Sequence, residues 1–174
     1  MRMKIMQAAL CAALLPLAAP PAPAQEVYKR APNIDQSKMD ESIRSYQDAV
    51  KYYQAGQLGQ AEQELEKFLA KVGEHAGGNF LMGLVQAQQG NLEKARTSFR
   101  TTVRLDPAMV APKGWLGAVE AALGNLPGAA AQKAELEKLQ VACAGNCPKA
   151  AEIAQGIQRI DENVAAATQA QPHN

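Results

Sequence analysis

Small, apolar and turn-forming residues fall on a fixed repeat along the chain. Gly56, Gly90 and Gly124 stand at a spacing of 34 residues. Leu58, Leu92 and Leu126 follow each glycine by two, and Ala61, Ala95 and Ala129 follow it by five. Ala49, Gly83 and Gly117 precede it by seven. Such a period predicts one helix-turn-helix unit per copy, each with an apolar face that only a neighbouring copy can bury. The small residues before and after the glycine predict close approach of the two helices within a unit. The glycine itself predicts a left-handed turn that ends the first helix. Asn91 and Asn125 stand where the next helix needs an N-cap, and Pro127 falls in a first turn, where its missing amide is harmless.

Outside the copies the pattern predicts two further helices. One starts near Ser37, read as an N-cap with the acids Asp40 and Glu41 in the first turn, and runs to about Ala55. The other, over 148–164, carries Ile153, Ile157 and Ile160 at helical spacing, with Pro148 at its start. It is expected to cover the apolar face that the third copy would otherwise expose. The Ala-, Gln- and Thr-rich end, 168–174, is expected to fray.

The middle copy resembles the tetratricopeptide-repeat family. Met82-Gly83, Gly90, Ala95, Phe99 and Leu105-Asp106-Pro107 stand at that pattern's small, turn, Ala, Phe and closing Pro positions. The first copy has Gly73 in place of the closing Pro, and the third has Lys133 at the aromatic position. The expected fold is therefore all-α, an α-solenoid of about three repeats, 42–75, 76–109 and 110–143, with a C-terminal capping helix, in a domain spanning 37–167. The resemblance implies that the first helices line a concave surface. Its inward positions fall on or beside Tyr46, Val50 and Tyr53, then Phe80, Leu81 and Leu84, then Trp115, Ala118 and Ala122. This lining is apolar and aromatic, unlike the Lys, Arg and Asn with which some family members hold a partner's C-terminal carboxylate. It suits an amphipathic helix or an extended peptide; internal packing of the same residues is the alternative.

Composition and charge narrow the function. The N-terminus reads as a secretory leader: Arg2 and Lys4, an apolar stretch through Leu17 broken by Pro16, and Ala22-Pro23-Ala24 before Gln25. Cleavage after Ala24 leaves a short arm, 25–36, and places the mature protein in an oxidising compartment, the periplasm. The apolar stretch is shorter than the roughly 20 residues a spanning helix needs, and no later stretch reaches that length. Losing Arg2 and Lys4 from 18 basic residues leaves 16 against 17 acidic ones, a near-neutral balance that argues against a nucleic-acid partner.

Candidate chemistry is sparse. The two histidines, His75 and His173, have no partner set for nucleophilic catalysis and read as solvated. Glu62, Glu64, Glu66 and Lys67 read as a solvated outer helix face. No cofactor, metal site or enzymatic activity is expected. Cys143 and Cys147, with three residues between them in an exported chain, are expected to form a disulfide worth about 2 kcal/mol on the chain-entropy estimate. The leading reading is a periplasmic scaffold or assembly factor that binds a protein or peptide partner in an apolar groove. A rival makes Cys143 and Cys147 a cycling dithiol with the repeats recruiting its client, and a third uses the groove for homo-oligomerisation.

The register is directly testable. Ala95→Leu, overpacking the middle pair, should cost about 1–3 kcal/mol in urea unfolding, whereas Glu93→Leu on the outer face should stay within about 0.5 kcal/mol. Equal midpoints for the two variants would mean the register is wrong.

Overall fold

The computed structural model describes residues 36–170. The leader assigned to 1–24 and the arm assigned to 25–36, Gln36 apart, lie outside the described residues, as does the end of the chain from 171. Among the described residues there are seven helices and no strand: α1 (Gln36–Gln54), α2 (Leu58–Val72), α3 (Ala76–Gln88), α4 (Leu92–Leu105), α5 (Ala111–Ala122), α6 (Leu126–Cys143) and α7 (Ala150–Ala170). The first six form three antiparallel pairs, and the second helix of each pair packs on the first helix of the next.

The glycine column works as its positions require. Gly56, Gly90 and Gly124 have φ of 71°, 79° and 79°, the left-handed region that Cβ-bearing residues avoid. After α3 the Gly90 amide donates to the Ala87 carbonyl and the Asn91 amide to that of Gln86, at 3.1 and 2.8 Å. That pair of bonds satisfies two orphan carbonyls and turns the chain into α4. The two asparagines after the glycines differ. Asn125 accepts the Gly128 amide and caps α6, whereas Asn91 makes no cap bond and donates instead to Gln89. α1 begins one residue before Ser37, so Ser37 sits inside the first turn.

Three apolar clusters make the core, and each draws on three successive helices. Ala49, Ala61, Leu65, Leu81, Met82 and Val85 join α1, α2 and α3. Ala95, Phe99, Leu116 and Val119, with Phe80 and Trp115 packed on them, join α3, α4 and α5. Ala121, Ala129, Leu136, Ile153 and Ile160 join α5, α6 and α7. Each pair therefore completes its core only with the helix that follows. α7 plays that part for the last pair.

α7 also repairs a sequence departure. In the middle repeat the Phe99 ring lies so close to Gly83 that a Cβ there would come within 2.6 Å of it. In the third repeat Lys133 stands at the aromatic position and reaches out to Asp161 at 2.6 Å instead. The space against Gly117 is taken by Ile160 of α7, 2.5 Å from where a Cβ would lie. Further along the same contact, Gly114 and Gly156 let the α5 and α7 backbones touch. α7 runs past the expected end at 164 to Ala170, so 168–170 of the tail expected to fray are helical, while 171–174 lie outside the described residues; Ala165-Ala166-Ala167 is strong helix-forming sequence. Pro148 lies in the turn before α7 rather than at its start.

The Gly114 contact yields a prediction. A Cβ there would lie 2.7 Å from the Gly156 Cα, which is backbone and cannot rotate away. Gly114→Ala should lower stability by about 1–3 kcal/mol in urea unfolding even though alanine is the better helix former. An unchanged or raised midpoint would show that α7 does not seat on α5 this closely.

Candidate functional site

The inward residues named from the sequence divide into a packed set and an open set. At the first repeat, Tyr46, Val50 and Tyr53 are half-buried against the first core cluster. The Tyr46 ring centroid is 5.1 Å from that of Phe68, and the Tyr53 hydroxyl accepts a hydrogen bond from Gln88 at 2.8 Å. Leu81 is buried inside that cluster, and half-buried Leu84 packs on this cluster and on the next. Phe80 lies 5.9 Å from Phe99, centroid to centroid, and Phe99 stacks on Trp115 at 6.2 Å.

Trp115 and Ala118 face an open cleft of about 350 Å³ between α3, α5 and α7. Ala87, Leu92, Val119 and Ala122 complete its apolar lining. Its polar wall comes from α7: Arg159 and Asn163. The Arg159 guanidinium carbon stands 4.2 Å from the Trp115 ring centroid, a cation–π contact. Burial pushes the Arg159 guanidinium down from its ordinary value, and Glu162 only partly opposes that. Asn163 donates to the Arg159 carbonyl at 2.9 Å. Trp115 is thus a core residue on its Phe99 side and a cleft residue on the other.

Arg159 and Asn163 were not among the inward residues named from the sequence. The signal was present: Ile153, Gly156, Ile160 and Asn163 fall at three- and four-residue spacing, so the buried stripe of α7 leads straight to Asn163, with Arg159 at its edge. It went unread because a capping helix was expected only to cover the third repeat.

Polar ties fix the walls. Glu120 of α5 is buried and receives Arg100 of α4, with Arg96 at 3.9 Å and the Asn125 amide at 2.8 Å. This joins the second repeat to the third. Lys113 is buried too, and its ammonium donates to the Pro107 and Met109 carbonyls, closing the loop before α5. Burial lowers its basicity, with Glu135 and Asp106 opposing. In the middle repeat Ser98 donates to Gln86 at 2.8 Å within the buried interior.

Two further sequence readings change. His75 is exposed, yet it is not merely solvated: its Nδ1 accepts the Gly78 amide at 3.0 Å, capping α3, and its ring stands edge-on to Phe68. Glu64 pairs with Lys67 at 2.7 Å as an outer-face residue, but Glu62 accepts from Gln89 across the repeats at 3.0 Å. Among the described residues no group of three His, Cys, Asp or Glu is placed to hold a metal ion, and no helix is long and apolar enough to cross a membrane.

The Cys143 and Cys147 sulfurs are 2.07 Å apart, joined across the turn between α6 and α7, and the Cys147 amide also points at the Cys143 sulfur. Both cysteines are half-buried against the third core cluster.

The tetratricopeptide-repeat pattern matches residues 46–110 and 80–151. Among solved structures, the TPR2B domain of yeast Sti1 in its complex with pHsp70 is similar at 15% identity, with a TM-score of 0.58, covering 70% of this chain and 97% of that one. MamA is similar at 15% identity and a TM-score of 0.53, covering 83% of this chain and 86% of its own. At such identity the likeness is one of fold. A search of curated proteins gives no significant match.

The cysteine bond can be checked on protein purified without reductant. Intact mass after alkylation without reductant should show no added label, and two labels after reduction. Two labels without reductant would refute the bond.

Proposed function

Because the chain belongs to the tetratricopeptide-repeat family, we propose that it is a non-catalytic scaffold of the bacterial envelope. On this reading it is exported, processed after Ala24, and holds a peptide or amphipathic helix of a protein partner against the first-helix side of its repeats. The observation that carries the reading is the open cleft at Trp115. Its apolar wall is provided by three successive elements of the array, and the half-buried Trp115 stands in it between Phe99 and the stacked Arg159 guanidinium. Large flat side chains of this kind dominate binding energy because few rotamers are frozen on burial. The remaining inward residues, Tyr46, Val50, Tyr53, Phe80 and Leu84, would extend the contact along the array. The Sti1 domain's complex with pHsp70 is an example of a protein partner on a similar fold.

The cysteines are better suited to a structural than a cycling role. They are half-buried at the last core cluster, and reducing them would loosen the turn that delivers α7 to its seat.

The test pairs binding with stability. Mature protein immobilised as bait should capture its partner from envelope extract, and Trp115→Ala should weaken that capture by about 2 kcal/mol or more, roughly 30-fold. Trp115→Phe should keep the stack on Phe99 and most of the folding stability while still binding less well. Full-affinity capture by a stably folded Trp115→Ala protein would sink the docking site.

A further inference from the structure

The cleft holds one cation, Arg159, and among the described residues Glu162 only partly offsets the cost of its burial. Arg159 makes no ion pair among the described residues. Glu162, the one acid that acts on it, forms no ion pair with it and accepts from Gln158 at 2.8 Å. The guanidinium carbon lies over the Trp115 ring and Nη1 lies beside Gly114 of α5, and the remaining N–H groups are donors of the kind a carboxylate accepts from. Asn163 supplies a second donor: its amide has two N–H groups, and the Arg159 carbonyl takes one.

Resting on the docking site proposed above, we infer that its occupant is acidic: a protein segment that sets an apolar side chain against Trp115 and an Asp or Glu carboxylate on Arg159 and Asn163. A single negative charge fits better than a phosphate, because a dianion would leave one charge unanswered among Ala87, Ala118 and Ala122. Partial burial makes the Arg159 charge costly in the free protein, and a bound carboxylate would offset that cost. Specificity would then come from pairing the acid with its apolar neighbour, since an apolar segment alone leaves the guanidinium buried and unpaired.

Random dodecapeptides displayed on phage, selected against the mature protein, test this. Recovered peptides should be enriched in Asp or Glu within one helical turn of a large apolar residue. Binding of the synthetic best peptide, followed by the emission of Trp115, should weaken about tenfold when its acid is changed to the amide. Arg159→Gln should lose the same factor and no longer distinguish acid from amide, while Arg159→Lys keeps the preference in part. The peptide arm needs no mutant protein, so the outcome does not depend on the variants folding. Peptides that bind at Trp115 without acidic enrichment, or an acid effect that persists in a folded Arg159→Gln protein, would overturn the inference and leave the docking site standing. If selection yields no binding peptide, or Trp115 emission shifts on dilution alone because a second copy fills the cleft, the docking site itself fails and the inference with it.

Discussion

Everything in this array depends on how closely its helices approach at small residues. Ala49, Gly83 and Gly117 on the first helices oppose the Ala61, Ala95 and Ala129 column on the second, and all six are buried. The absent side chains let the aromatic ring of Phe99 and the branched end of Ile160 press onto backbone. Interiors are packed to crystal-like density, so a methyl group at such a contact has nowhere to go. The position of Trp115 follows from this. Phe99 packs against Gly83, Trp115 stacks on Phe99, and Arg159 of the cleft wall covers the far side of the indole.

The dependence runs along the chain rather than across it. Each core cluster needs a third helix, so no pair is complete alone, and stability accumulates from neighbour to neighbour. Polar ties reinforce the joints. Glu120 links α4, α5 and the start of α6, and removing it would take this partner from Arg100 and from the Asn125 amide. Lys113, with Lys149 donating to the Ala108 carbonyl, satisfies loop carbonyls that would otherwise be costly where the chain crosses from α4 to α5.

The repeat array was legible because its signals are local and steric. A left-handed turn demands glycine and a close helix pair demands small residues, and both demands recur at one period whatever surrounds them. Hydrogen-bond choices were less legible: Asn91 and Asn125 occupy the same column, yet only Asn125 caps its helix, and His75 caps α3 from a loop that looked merely solvated. These outcomes turn on side-chain torsions that one residue's identity leaves open. The candidate site was half legible. Trp115 and Ala118 followed from the repeat, whereas Arg159 and Asn163 come from α7, a helix outside the repeating pattern. Its seat is set by Lys133 failing to fill the space at Gly117. Reading that would have required asking which side chain replaces a missing aromatic.

The covalent loop between Cys143 and Cys147 biases the direction in which the array comes apart. In a one-dimensional stack the terminal elements open first, because they have a neighbour on one side only. At one end, α7 is anchored by backbone contact with α5, by Ile160 and by a bonded turn. At the other, α1 carries no disulfide among the described residues, and Met39 and Ile43 are exposed along its first turns. An opening that starts at α1 therefore has only the first repeat to cross before it reaches Ala87 and Leu92 at the cleft.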